Sequence, residues 1–331
     1  MPASPSLLLI CQAGQGVGLG HLSRCLVAAR AIQGKGVAVT LLIQSEKLER
    51  SDLGAFEHHF IDHSDDLLAR VDQLLGLQPF STLVLDLQPA KTPALLVPAL
   101  RRWRQKGLRV IGIDSLRLMP NEVDLLFIPS FHYQATSADA SHVPTLFGWD
   151  CLLIDGPRPE HAWEPGPRVL ALTGGSDATG LGRHWPRLLD AQLPSGSEVD
   201  WVTGPFAQAP VLDQAAQQVW REHVAPNGLG PLMSQCHYAV TIYGVSFFEL
   251  LYQGIPTVVF SPYGDKDHAE LDLIAQAGVA WVARDEYHAT ELLATLMKQP
   301  EHAAQLSRRA SALLCTSGGE RLADAITSTK S

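Results

Sequence analysis

What most constrains this chain is one pattern, repeated along its 331 residues: a short β-branched or leucine-rich run, a turn rich in Gly, Pro or Asp, then an amphipathic helical stretch. Such alternation builds parallel βαβ units, because parallel strands need a long crossover that packs back on the sheet. In the first half it predicts strands near residues 7–11, 37–43, 82–87, 109–113 and 124–128. A stretch dense in proline and glycine, residues 156–167, interrupts the pattern as a domain boundary does. The pattern then restarts, with strands expected near residues 168–172, 199–203, 238–242, 257–260 and 279–282. The fold class is therefore α/β, with two doubly wound, Rossmann-like parallel-sheet domains in tandem. The first is expected over residues 1–157 and the second over 166–331, with a helical tail whose last helix is free to pack back on the first domain.

Hydrophobic residues at 46% and charged residues at 18% describe a chain that buries a full core. A net charge of −9 argues against a nucleic-acid partner, which would require a basic face. Local anion sites at helix N-termini and glycine loops remain compatible with it. The five cysteines, Cys11, Cys25, Cys151, Cys236 and Cys315, are scattered and form no CxxC pair, which fits a reducing cytoplasm. The apolar run at residues 7–11 lacks a basic flank and is too short for a signal peptide or a membrane span. Arg101-Arg102-Trp103-Arg104 suits either peripheral contact with an anionic membrane or the polar end of a crossover helix.

The first strand runs into Gly14-Gln15-Gly16-Val17-Gly18-Leu19-Gly20-His21, which opens a helix whose Leu22, Cys25, Leu26 and Ala29 share one face. Glycines there let a ligand approach the backbone and leave helix amides facing it. The spacing is not GxGxxG, and the second strand ends in Gln44-Ser45 without the acidic residue a dinucleotide ribose calls for, which counts against a dehydrogenase. His21, at the loop-to-helix junction, is a candidate general base; the plainer alternative is a histidine that holds the loop.

These residues resemble a family. Gly18-Leu19-Gly20-His21-Leu22-Ser23-Arg24-Cys25-Leu26 is similar to the GxGHxxRCLxLA stretch of the PseG/SpsG proteins, which include a UDP-sugar hydrolase of pseudaminic acid synthesis. Thr173-Gly174-Gly175-Ser176-Asp177 resembles that family's FGGSDP loop. Gly244-Val245-Ser246-Phe247-Phe248-Glu249 with Gly254-Ile255-Pro256 resembles its GTTTWE…GLP segment, shared loosely with MurG-type glycosyltransferases. The resemblance implies a GT-B architecture, two Rossmann-like domains facing a central cleft, with the nucleotide bound mainly by the second. It makes Gly18, Gly20, Gly174, Gly175, Ser176, Gly244, Val245, Ser246 and Glu249 the candidate nucleotide-binding residues. Glu249 would bridge the ribose hydroxyls, as a carboxylate can accept both protons; the alternative is a first-turn glutamate serving the helix dipole.

The chain also departs from that family. Gly264-Asp265-Lys266-Asp267-His268 stands where an Asn-Gln pair is usual, Asp86-Leu87-Gln88 keeps only part of an aspartate–tyrosine pattern, and Tyr243 replaces a glycine. Asp267 and His268 are candidate sugar contacts, with a helix cap as the alternative and a metal site disfavoured by the spacing. Asp86 and Asp114 fall at the carboxyl ends of predicted strands, where either could orient His21 or a sugar hydroxyl; Asp114 before Ser115 also reads as a cap. The candidate catalytic pair is His21 and Asp86. The expected function is cleavage of the anomeric C–O bond of a UDP-sugar, by transfer to a sugar or lipid-linked acceptor or, alternatively, to water. A non-catalytic nucleotide-sugar-binding protein is the third reading. No tightly bound cofactor or metal is expected.

Overall fold

A computed structural model of the chain describes residues 6–14, 16–133, 143–154, 158–159, 161–212 and 216–328. Gln15 of the first glycine loop, and residues 155–157 and 160 of the Pro/Gly-rich stretch, lie outside the described residues, and with them the expected domain end at 157. The chain divides into two compact units, residues 1–154 with 316–331, and residues 155–315.

The first unit contains β1 (Ser6–Gln12), α1 (Gly20–Gly34), β2 (Ala38–Gln44), β3 (Glu57–Ile61), α2 (Leu67–Leu77), β4 (Thr82–Asp86), α3 (Leu96–Gln105), β5 (Arg109–Ile113), β6 (Leu125–Phe127) and β7 (Thr145–Leu146). The second contains β8 (Arg168–Leu172), α4 (Trp185–Gln192), β9 (Glu198–Thr203), β10 (Val219–Val224), α5 (Gly230–Met233), β11 (Tyr238–Ile242), α6 (Val245–Tyr252), β12 (Thr257–Phe260), α7 (His268–Ala277), β13 (Trp281–Val282), α8 (Glu286–Met297) and α9 (Pro300–Leu313). The last helix, α10 (Gly318–Thr327), lies in the first unit against α1.

The first sheet runs β3-β2-β1-β4-β5-β6-β7 and the second β10-β9-β8-β11-β12-β13, with every described pairing parallel. Each contains the 3-2-1-4-5-6 order of a Rossmann sheet. Alternation within a strand sends neighbours to opposite cores. Leu7, Leu9 and Cys11 pack with α1 and α10, whereas Leu8 and Ile10 pack with α2 and α3. In the second sheet Val169 and Ala171 face one layer, while Leu170 and Leu172 face the other.

Two strands are absent from the sequence reading, β3 (Glu57-His58-His59-Phe60-Ile61) and β10 (Val219-Trp220-Arg221-Glu222-His223-Val224). Both are edge strands and largely exposed. An edge strand is paired on one side only, so polar and charged residues persist there and erase the apolar signal. The two-residue β7 is likewise too short to read.

Candidate active site

In each unit, chain reversal about the first strand opens the sheet at its carboxyl edge, between β1 and β4 and between β8 and β11. Ligands of doubly wound sheets bind at that place.

In the first unit, the loop after β1 folds on itself: Gly14 and Gly18 pair as an antiparallel bridge, with Gly18 N–H donating to Gly14 O at 2.8 Å. Gly14 has φ +104°, a conformation strained for any residue with a side chain, and a Cβ there would also push the Glu46 carboxylate aside. Gly18 also has positive φ, and Gly20 is the first residue of α1. His21, Arg24 and Cys25 follow at i, i+3 and i+4, which puts all three on one face over the end of β4. There Asp86 is fully buried. Its Oδ1 lies 2.8 Å from His21 Nδ1, Arg24 donates through Nε to Oδ2 and through Nη2 to Oδ1, each at 2.5 Å, and Cys25 Sγ lies 3.6 Å from Oδ2. Arg24 Nη2 also donates to Asp114 Oδ2 at 3.2 Å.

Burial by itself would raise the pKa of the Asp86 carboxyl. The charge and hydrogen bonds of Arg24, helped by His21, outweigh it and hold the carboxyl well below the usual carboxylate range. Burial works against the Arg24 charge too, and Asp86 and Asp114 more than offset it, so this guanidinium holds its proton more firmly than usual. Burial and the contacts with Cys11 and Asp86 push the Cys25 thiol well up, so it stays a neutral donor. Because Asp86 is an ion and accepts only, His21 Nδ1 carries the hydrogen that points to it, and a neutral ring then leaves Nε2 with a lone pair. Among the described residues Nε2 has no protein partner. The His21 side chain is 17% exposed, enough to meet a ligand.

The Asp114 side chain does not act as a cap. It joins Arg24 and Arg117 instead, from a backbone at φ +51° that is strained for a residue with a side chain. Behind the site, the buried Gln12 donates to Gln44 Oε1 at 2.8 Å and accepts from Gln88 N–H at 2.8 Å. The two strand-terminal glutamines thus tie down neighbouring loops, which is the use made of the position where a dinucleotide site has an acid.

In the second unit, Gly174 (φ +82°), Gly175 and Ser176 follow β8, and Gly174 lies beside Ile242 at the end of the adjacent β11. Asp177 accepts from Leu181 N and Gly182 N, both at 2.9 Å, which closes the loop over residues 177–182. Gly204, after β9, sits so near Gly175 that a Cβ would come within 2.4 Å of its carbonyl oxygen. A cavity of about 340 Å³ opens against this loop, lined by Ser176, Asp177, Thr179, Arg183, Phe206 and Gln208 among others. After β11, Gly244 takes the N-cap position of α6, with Val245 and Ser246 as its first two residues. Glu249 is the fifth helical residue, so the first-turn dipole role is excluded; it is half-buried on the turn behind those amides.

Asp267 stands at the N-cap position of α7, yet its carboxylate accepts from Ser261 Oγ at 2.5 Å and leaves the helix end uncapped. His268 begins that helix, largely exposed and 3.3 Å from Asp265. This loop follows β12 and so shares the carboxyl edge with the loop after β8; burial, with Asp267 and Asp177, raises the Tyr263 hydroxyl pKa there. Among the described residues no three His, Cys, Asp or Glu side chains are grouped to hold a metal.

A larger cavity, about 800 Å³, lies at the opposite, amino edge of the first sheet. Its arginines are already engaged: Arg101 by Glu122, Arg104 by Asp124, and Arg109 by the carbonyls of Ala325 and Ile326. Arg102 pairs with Asp72, which also accepts from the buried Trp103. The basic run is therefore the neutralised end of α3, and the carboxyl-edge loops remain the better ligand site. No helix among the described residues is long and apolar enough to cross a membrane.

No protein-family model and no curated protein matches the sequence. Solved structures do match in three dimensions. MurG of Acinetobacter baumannii superposes with a TM-score of 0.64 at 16% identity, over 97% of this chain and 99% of that one. The calicheamicin glycosyltransferase CalG4 gives 0.64 at 13% identity, over 98% of each chain. Arabidopsis thaliana UGT89C1 complexed with UDP-L-rhamnose gives 0.66 at 12% identity, again over 98% of each. This chain has the GT-B fold. Within the GT-B frame, His21 and Asp86 belong to the first Rossmann-like unit, and the Gly174–Ser176 and Gly244–Glu249 segments to the second.

Sequence reasoning missed Arg24 as a partner of both aspartates and assigned Cys25 only to the core. The signal was available, since both lie at helical spacing from His21.

Proposed function

We propose that this protein is a glycosyltransferase that takes a UDP-sugar as donor, breaks its anomeric C–O bond and passes the sugar to a sugar or lipid-linked acceptor in cell-surface polysaccharide or glycan synthesis. The observation that carries the reading is the His21–Asp86 pair: an ionised, buried carboxylate fixes the imidazole so that Nε2 is available as a base for the attacking hydroxyl. The fold supports it, because CalG4 is a glycosyltransferase and UGT89C1 was solved with UDP-L-rhamnose. In the second unit, the α6 N-terminus and the Ser176 and Ser246 hydroxyls suit the diphosphate, which leaves as UDP, and Glu249 suits the ribose. The three segments resembling PseG/SpsG proteins favour a second reading, with water in place of the acceptor.

The test is UDP release from a panel of UDP-sugars in ¹⁸O-enriched water, with wild type beside His21→Ala. The expected loss in the variant is about 10²–10⁴-fold in turnover, with UDP binding retained. Label in the freed sugar would establish hydrolysis, whereas release only with an added acceptor would establish transfer. Binding of UDP without turnover under any acceptor would point to a non-catalytic nucleotide-sugar-binding protein, and absence of UDP binding would sink the reading.

A further inference from the structure

We propose that the cavity between the loops after β8 and β9 binds the diphosphate of the donor, and that Arg183 is the cation that pairs with it. This deepens the reading of the second unit as the nucleotide side and rests on that reading for the identity of the ligand.

The cavity has two fastened walls. In one, Asp177 takes a left-handed φ of +43°, strained for a residue with a side chain, and spends its carboxylate on Leu181 N–H and Gly182 N–H, each at 2.9 Å. This fold-back sets the short 3-10 turn Leu181–Arg183 beside the loop, with Arg183 lining the cavity. The other wall is the segment after β9, which carries Phe206 and Gln208. Phe206 N–H donates to Gly175 O at 3.0 Å and Val211 N–H to Gly182 O at 2.8 Å, so the two walls are tied at both ends.

Charge decides what enters. Asp177 is the one carboxylate among the described lining residues, and both of its oxygens are committed to backbone amides. Arg183 is the one cation of the lining, and no hydrogen bond or ion pair engages it among the described residues. By contrast, Arg168 is spent on Asp200, Arg221 on Glu198, and Arg158 on the carbonyls of Ser311 and Leu314. An unopposed guanidinium beside the Ser176 and Thr179 hydroxyls suits a phosphate, whose oxygens match its planar fork.

Position favours two phosphates over one. The loop after β8 lies between those after β9 and β11, as the strand order requires, and its Gly174 adjoins Ile242 at the end of β11. An anion laid across Gly174–Ser176 therefore has the α6 N-terminus on one flank and Arg183 on the other. A diphosphate can meet both.

The experiment measures binding of UDP, uridine and inorganic pyrophosphate by calorimetry to wild type, Arg183→Gln, Arg183→Lys and, as a control, Arg187→Gln, which lies four residues on and is also exposed. Arg183→Gln is expected to weaken UDP and pyrophosphate about tenfold or more and to leave uridine unchanged. Arg183→Lys should recover part of the loss, because it keeps the charge without the fork. Arg187→Gln should change nothing. Arg183 is exposed, so the thermal midpoint of its variants should hold. Unchanged UDP and pyrophosphate affinity in Arg183→Gln would overturn the proposal while leaving the nucleotide reading intact. An equal loss in Arg187→Gln would also overturn it, as the mark of a diffuse field and not a contact, and so would a loss for uridine as large as that for UDP. If wild type binds pyrophosphate through Arg183 but does not bind UDP, the anion site stands and the nucleotide reading fails; if it binds neither, both fail.

Discussion

The two units share a strand order and differ in what they place at its opening. At the end of β4 the first unit buries a carboxylate and surrounds it with His21, Arg24 and Cys25, all from one helix face. At the end of β11 the second unit leaves Gly244 exposed at an uncapped helix N-terminus, with Ser246 behind it. One edge is ionic, its buried charges paired with one another and only His21 Nε2 left over. The other has no such cluster in its first turn, and there, as at the start of α1, no side chain caps the helix. The same topology thus yields a place suited to moving a proton and a place suited to holding an anion, because the side chains of the first turn, and not the sheet, decide which groups are spent internally.

That contrast can be broken. The largest expected effect is from Asp86→Ala, which strands a buried guanidinium and should cost the first unit about 3–5 kcal/mol, read as a lower urea midpoint. Ser176→Ala in the second unit should stay within about 0.5 kcal/mol. An equal loss in both would mean the ionic cluster is not what distinguishes them.

Acid sharpens the same point. Asp86 has a depressed folded-state pKa, so its contribution is fully present above its unfolded value of 3.8 and is lost as pH falls through the folded value. Wild type should therefore lose stability progressively as pH drops from about 5 toward 2, by urea titration at each pH. Asp86→Asn should flatten that part of the dependence.

Gly204→Ala drives a Cβ into the Gly175 carbonyl and should cost the second unit about 1–3 kcal/mol, with weaker UDP binding by calorimetry. Smallest is Glu249→Ala, expected to raise the KM for donor about tenfold while kcat holds, since a ribose contact is made equally before and during reaction. A fall in kcat instead would move Glu249 from binding to chemistry.

Much of this was legible in the chain. Central strands declare themselves by buried, leucine- and valine-rich runs, whereas β3 and β10 hide behind Glu57, His58, Arg221 and Glu222, since an edge needs little apolar surface. His21 and Asp86 stood out by position, one opening a helix and the other ending a strand. The return of α10 to the first unit was open in the sequence but not fixed by it, because Leu322, Ala323 and Ile326 would suit any apolar face; packing against α1 settled it.

By itself, then, the sequence determined two tandem parallel sheets, the glycine loops at their openings and the residues available there, since periodicity and turn chemistry are local and act through the nearest few residues. Only the tertiary structure decided that Arg24 reaches Asp86 and Asp114 from 62 and 90 positions away. It alone also turned Asp267 to Ser261 instead of to its helix. Which hydrogen meets which oxygen depends on distances of a few tenths of an ångström across elements remote in the chain, and no local pattern encodes them.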